Sequence, residues 1–312
     1  MRFVKNEWIK IWAQKNAWIM MILVLLGVVA LLGISKYFAV DQNTPELRQE
    51  ENNKRLAEYN AQLNFPGLAE QDIQYINEEI LMTEYRIAND LPTVDATTFH
   101  QVVDLLLSFI LTVVGIFTMV IAASIVSNEF GTGTIKMLLT RPVARWKILL
   151  SKLVASLLYG VALFAVSVVV ALIGSFILFN TGEAITLSVV NGQVVEQIVE
   201  THFVQNILLN AASIFMTTIF AFMLGTIFGS STLAVSLSLV ILLMGSAITM
   251  FIARYDFAKF IWFANDLTQF QPGMMAIIPD LTLNFAIVVN IVYAIIFLAV
   301  SFTYFIRRDV TA

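Results

Sequence analysis

The chain has 312 residues, 59% of them apolar and 13% charged, with a formal net charge of -4 and no cysteine. Soluble domains run at about 45–50% apolar and about 25% charged, so both figures exclude an ordinary water-soluble domain. The small net charge argues against a nucleic-acid partner, which needs a concentrated basic surface, and the missing cysteine excludes disulfides, iron–sulfur clusters, thiol catalysis and cysteine-ligated zinc.

At the N-terminus, Val4, Trp8, Ile11 and Trp12 share one helical face, with Asn6, Lys10 and Gln14 elsewhere. Residues 1–16 therefore read as an amphipathic helix in the plane of the membrane interface, anchored by Trp8 and Trp12. Six apolar runs follow, each long enough to cross about 30 Å of hydrocarbon: residues 17–40, 102–127, 149–179, 205–228, 232–253 and 283–306. Continuous apolar runs lack the alternation of a barrel strand, so all six read as helices. The first exceeds the usual 7–15 residue core of a signal peptide and has no small-x-small site after it, so it is expected to remain a span. The expected fold is an all-α integral membrane protein: six transmembrane helices, an interfacial N-terminal helix and a helical hairpin insert.

Residues 41–101 differ from the spans: polar, with twelve acids between 41 and 100. Ile73, Ile76, Ile80 and Ile87 fall on one helical face, as do Leu56, Tyr59 and Leu63, and Pro66-Gly67 separates the two runs. That is two amphipathic helices and a turn, serving either as a hairpin packed on itself or a partner copy, or as a lid. Residues 180–204 read as a loop. Residues 254–282, with Trp262, Phe263, Phe270, Pro272 and Pro279, read as short helices at or dipping into the membrane surface, re-entrant or interfacial.

Lys and Arg near the span ends set orientation. The N-terminal segment, the link between spans two and three, and the tail 307–312 carry 11 basic residues against Glu7, Glu129 and Asp309. The expectation is that both termini are cytoplasmic in a bacterial cell membrane and that the hairpin insert is extracytoplasmic.

The search for catalysis returns no candidate. His100 and His202 are far apart and lack the clustering of metal ligands, and no serine stands in a nucleophile elbow. Asp104, in the first turn of span two, is either a headgroup-level acid or an intramembrane functional group. Gly131-Thr132-Gly133-Thr134-Ile135-Lys136 lacks the spacing and the Ser/Thr of a phosphate-binding loop. The expected chain holds no catalytic residue, metal or cofactor.

The link Asn128 to Lys152, NEFGTGTIKMLLTRPVARWKILLSK, carries the strongest signal. Span two is expected to leave the membrane at Ser127. Gly131 and Gly133 permit a bend; Thr134 to Leu139 can form a short helix with Ile135, Leu138 and Leu139 on one face. Pro142 suits the first turn of a new helix, which carries Arg145, Trp146 and Lys147 at headgroup level. The compact elbow 128–148 serves either as an anchor on anionic lipid or as a docking element for a cytoplasmic partner. In span four, Gly225 and Gly229 stand at the spacing that lets helices approach closely.

These residues resemble the permease subunits of type-2 ATP-binding-cassette (ABC) exporters. That family's loop after the second span runs as Glu-x-x-x-Gly-Thr, a Leu-Leu pair, Pro, Arg and Lys. Glu129, Gly133-Thr134, Leu138-Leu139, Pro142, Arg145 and Lys152 stand at those positions, and the layout of spans extends the resemblance over nearly the whole chain. The resemblance implies a translocation path formed with a second permease subunit, a homo- or heterodimer. It also implies two copies of a separate ABC ATP-binding subunit that bind ATP and Mg, and a coupling elbow around Glu129–Lys147 that receives their motion. On that reading Ile135, Leu138 and Leu139 pack on the ATPase while Glu129 and Arg145 fix the elbow. A secondary transporter or channel, and a membrane scaffold or sensor with the hairpin as receptor, are the competing readings. Spans three, four and five have no charge at their centres, which disfavours ion-coupled transport.

Overall fold

A computed structural model describes residues 2–39, 45–65, 70–92, 99–134, 143–179, 185–190, 192–198, 203–271, 274 and 276–308. In chain order the helices are α1 Arg2–Ala13, α2 Lys15–Phe38, α3 Pro45–Leu63, α4 Glu70–Ala88, α5 Phe99–Gly131 and α6 Arg145–Leu178. After the strands β1 Ile185–Val190 and β2 Gln193–Ile198 come α7 Phe203–Phe228, α8 Ser231–Ile252, three short 3-10 helices between Asp256 and Phe270, and α9 Leu283–Arg307. Among the described residues, α2, α5, α6, α7, α8 and α9 are long and apolar enough to span a membrane. Their surfaces agree: Leu26 is 59% exposed in α2 and Phe176 68% in α6. Apolar rows of this kind need lipid rather than water around them. The chain is an all-α, multi-pass membrane protein.

Local chemistry sets several boundaries. The Ser230 hydroxyl accepts from the Leu233 amide at 3.5 Å to start α8, and Thr282 does the same for Phe285 at 3.4 Å to start α9. Such caps satisfy amides that have no partner inside the helix. α7 stops at Phe228 because Gly229 adopts φ +63°, a left-handed conformation that glycine reaches without strain. α5 runs to Gly131, past the exit expected at Ser127. The extra turn is held by side-chain partners, since Ser127 and Asn128 both hydrogen-bond the Ser231 hydroxyl and Glu129 has a buried ion partner, described below.

The chain divides into two compact units. The first comprises Met1–Val28, Leu107–Val170 and His202–Ala312. In it α7 packs against α8 and α9, and Val126, Leu149, Ile219, Phe222 and Phe297 form the central apolar cluster. A Cβ at Gly225 would collide with the Ala123 backbone carbonyl, so this glycine is what lets α7 lie on α5. The segment expected as short helices forms 3-10 turns, Asp256–Phe260, Trp262–Asn265 and Leu267–Phe270. They pack on α7, α8 and α9. Asn290 of α9 donates to the Asn265 carbonyl at 2.7 Å, which satisfies backbone that a helix would have paired internally.

The second unit comprises Val29–Leu106 and Ala171–Thr201. Here α3 and α4 pair as a helical hairpin. Ile76 is buried and Ile80 and Ile87 are half-buried, but Ile73 is exposed. Polar residues complete the seam. Asn52 is buried and donates to the Leu91 carbonyl at 2.9 Å, Tyr59 donates to Glu79 at 3.3 Å, and Arg86 donates to the Pro92 carbonyl at 2.9 Å. The loop expected over 180–204 is corrected: it contains an antiparallel hairpin in which Val190 pairs with Gln193 and Ile185 with Ile198. Both strands pack on α4, and the Tyr85 hydroxyl donates to Glu196 at 3.1 Å.

Candidate functional site

Of the residues singled out in the sequence, Glu129 and Lys152 meet Glu7 and Lys10 where α1, the end of α5 and the start of α6 come together, all within the first unit. The geometry there is a four-charge cluster. The Lys152 ammonium, fully buried, lies 2.8 Å from Glu7 Oε2 and 2.6 Å from Glu129 Oε1. Lys10 lies 2.8 Å from Glu7 Oε1 and 3.4 Å from Glu129 Oε1. Two cations and two carboxylates alternate around the ring, so each buried charge faces the opposite sign, the condition under which burial of ions is tolerated. Burial opposes the charged form of Glu7, but the Lys152 and Lys10 ammonium groups outweigh it and hold its pKa below the ordinary carboxylate value. Burial likewise opposes the charge on Lys10, and its contacts with Glu7 and Glu129 outweigh that and raise its pKa. Glu7 and Lys10 are therefore both charged at neutral pH.

A second brace uses Arg145. Its guanidinium donates to the Ile306 carbonyl at 2.9 Å and the Arg308 carbonyl at 3.1 Å, capping the exposed carbonyls at the end of α9. Arg308 lies over the Phe130 ring at 4.1 Å and reaches the Thr226 carbonyl at 3.5 Å. The start of α6 is thereby fastened to α9, and α9 to the ends of α5 and α7.

The structure thus separates two residues that the sequence reading groups together. Glu129 and Arg145 both fix the base of the elbow, but through different partners: Glu129 through the lysines, Arg145 through the carbonyls of α9. Gly131 closes α5, and Gly133, at φ +71°, provides the left-handed turn after it. The Thr134 and Thr132 hydroxyls lie 3.0 Å apart. Ile135, Leu138, Leu139 and Pro142, with the short helix expected from Thr134 to Leu139, lie outside the described residues. Of the three anchors, Trp146 is 46% exposed with the Lys147 ammonium over its ring at 5.5 Å. Trp8 meets Trp12 edge-on at 5.7 Å. Trp12 turns inward, its ring 5.2 Å from Trp18 and 5.4 Å from Tyr159, whose hydroxyl donates to the Ala17 carbonyl at 3.0 Å. Gly225 makes its close approach to α5 of the same chain, whereas Gly229 is the left-handed terminator of α7. A Cβ at Gly229 would also lie 3.6 Å from Phe130, so both glycines face α5 of the same chain. No group of three His, Asp or Glu side chains among the described residues is arranged to hold a metal ion.

Sequence reasoning missed Glu7 and Lys10. The signal was an acid on the apolar side of α1, one turn from Val4 and Ile11 and next to Trp8, where an interfacial helix gains nothing from a charge unless a partner meets it.

A family model described as "Protein of unknown function (DUF2705)" matches residues 73–311. The chain belongs to this family. It is also 35% identical over 318 residues, 99% of both chains, to a Bacillus subtilis (strain 168) protein named "Uncharacterized protein YhcI". It is 33% identical over 199 residues to "Uncharacterized membrane protein YdbK" of the same organism, covering 62% of this chain and 76% of that protein. The membrane description of YdbK accords with the six apolar helices here.

Proposed function

We propose that this DUF2705 chain is the permease subunit of an ABC exporter in the bacterial plasma membrane, with both termini cytoplasmic. It works as a dimer, and a separate ATP-binding subunit supplies the energy. The observation that carries the reading is the Glu7–Lys152–Glu129–Lys10 cluster. It knits the interfacial helix to both helices flanking the elbow, so a push on the elbow moves α1, α5 and α6 together. A lipid anchor has no need of such a joint; a force-receiving element does. The cluster also gives Glu129 and Lys152, two positions of the exporter-like motif, a physical role.

The test is the double substitution Leu138→Asp with Leu139→Asp, made in the tagged chain expressed in its own membrane and read by the ATPase that co-purifies with it. Membrane insertion stays normal, while retention of the ATPase and permease-stimulated hydrolysis fall to background. Unchanged retention and hydrolysis would contradict the proposal.

A further inference from the structure

Within the first unit, α7, α8, α9 and the 3-10 turns enclose a cavity of about 120 Å³. Drug-sized ligands need about 300 Å³ or more, so this space fits a small head group. Asp266 is the charged residue on its wall. The carboxylate accepts from the Ser213 hydroxyl at 2.8 Å and the Thr268 amide at 3.0 Å, both on Oδ1, and among the described residues Oδ2 has no hydrogen-bond donor.

Three further polar side chains of the wall, Ser213, Thr217 and Asn290, have no proton left to donate. Ser213 gives its only hydroxyl proton to Asp266, and Thr217 gives its own to the Ser213 and Ile214 carbonyls. Both amide protons of Asn290 are used, on the Asn265 and Ala286 carbonyls at 2.7 and 2.8 Å, which leaves its Oδ1 as an acceptor. These side chains offer lone pairs and one negative charge. Trp262 and Phe263 supply aromatic wall, which attracts cations through the ring quadrupole. Asp266 and Ser246 are exposed at the mouth, so the cavity is open to entry.

We infer that this cavity is a binding site for the ammonium group of a small amine. An ammonium brings three donors and one charge to a set of acceptors that includes one carboxylate. A bare metal ion would instead want a close oxygen shell, which aromatic walls do not provide. The site stands independently of the exporter reading, and its test requires no ATPase.

The probe is ethylammonium chloride, titrated calorimetrically into the full-length protein in phosphatidylglycerol nanodiscs at constant ionic strength, with ethanol and sodium chloride as controls. Ethylammonium binds saturably, ethanol does not, and sodium at equal concentration fails to displace it. Asp266→Asn keeps the Oδ1 acceptor for Ser213 and Thr268 and removes only the charge; it weakens binding at least about tenfold, the scale of one charge-assisted hydrogen bond. If that variant fails to fold, the preference of the parent protein for ethylammonium over ethanol carries the test. Adding phosphatidylethanolamine to the disc lowers the apparent affinity if the site takes lipid head groups, and leaves it unchanged if it takes amines from solution; either result upholds an ammonium site. Absence of saturable binding, displacement by sodium, or undiminished binding by Asp266→Asn would overturn it.

Discussion

At the residue scale the decisive side chain is Lys152, fully buried and in contact with two carboxylates. Removing one member of a buried ion set leaves uncompensated charge and costs about 3–5 kcal/mol, whereas replacing the whole set by neutral groups costs far less. Lys152→Met should therefore lower the thermal midpoint of the purified protein sharply. Adding Glu7→Gln and Glu129→Gln to it should recover much of the loss. The pH dependence has two limbs. The depressed pKa of Glu7 means that its contribution is complete above the ordinary carboxylate value and is lost as pH falls through the lower native one. The raised pKa of Lys10 means that its contribution is complete below the ordinary lysine value and is lost as pH rises through the higher native one. The contribution of Glu7 and Lys10 is thus flat across neutral pH, and Glu7→Gln should flatten the acid limb of a melting-temperature profile while leaving the neutral region nearly level.

At the scale of elements, close helix approach depends on particular glycines. A methyl at Gly225 meets the backbone of Ala123, which has no rotamer to escape into, while a methyl at Gly33 meets nothing within 4 Å. Gly225→Ala should destabilise by about 1–3 kcal/mol through overpacking. Gly33→Ala should be neutral or stabilising by up to about 1 kcal/mol through helix propensity; thermal melts of the two variants compare them directly. The spans were legible in the sequence because hydrocarbon thickness imposes a length that composition alone reveals. The hairpin was not read, although its signal was present: Asn191-Gly192 joins two runs of β-branched residues, and Gly192 sits at φ +76° as a two-residue turn demands. Glu129 and Lys152 were legible as motif positions. Their partner Glu7 was not, because ion pairing across 145 residues leaves no trace in local periodicity.

At the scale of the whole molecule, the cluster and the Arg145 brace make the base of the elbow one stiff body with α1, α5, α6 and α9. Basic residues concentrate in the N-terminal segment, the elbow and the tail. Reporter fusions should accordingly place both ends of the chain and the elbow on the cytoplasmic side, with residues 45–92 opposite. The central claim is that this body receives force from a separate motor. Native mass measurement of the complex purified from its own membrane, without cross-linker, tests it most directly. Two copies of this chain carrying two copies of an ATP-binding protein is the predicted composition. An oligomer of this chain alone, active without any nucleotide-binding partner, would contradict the account.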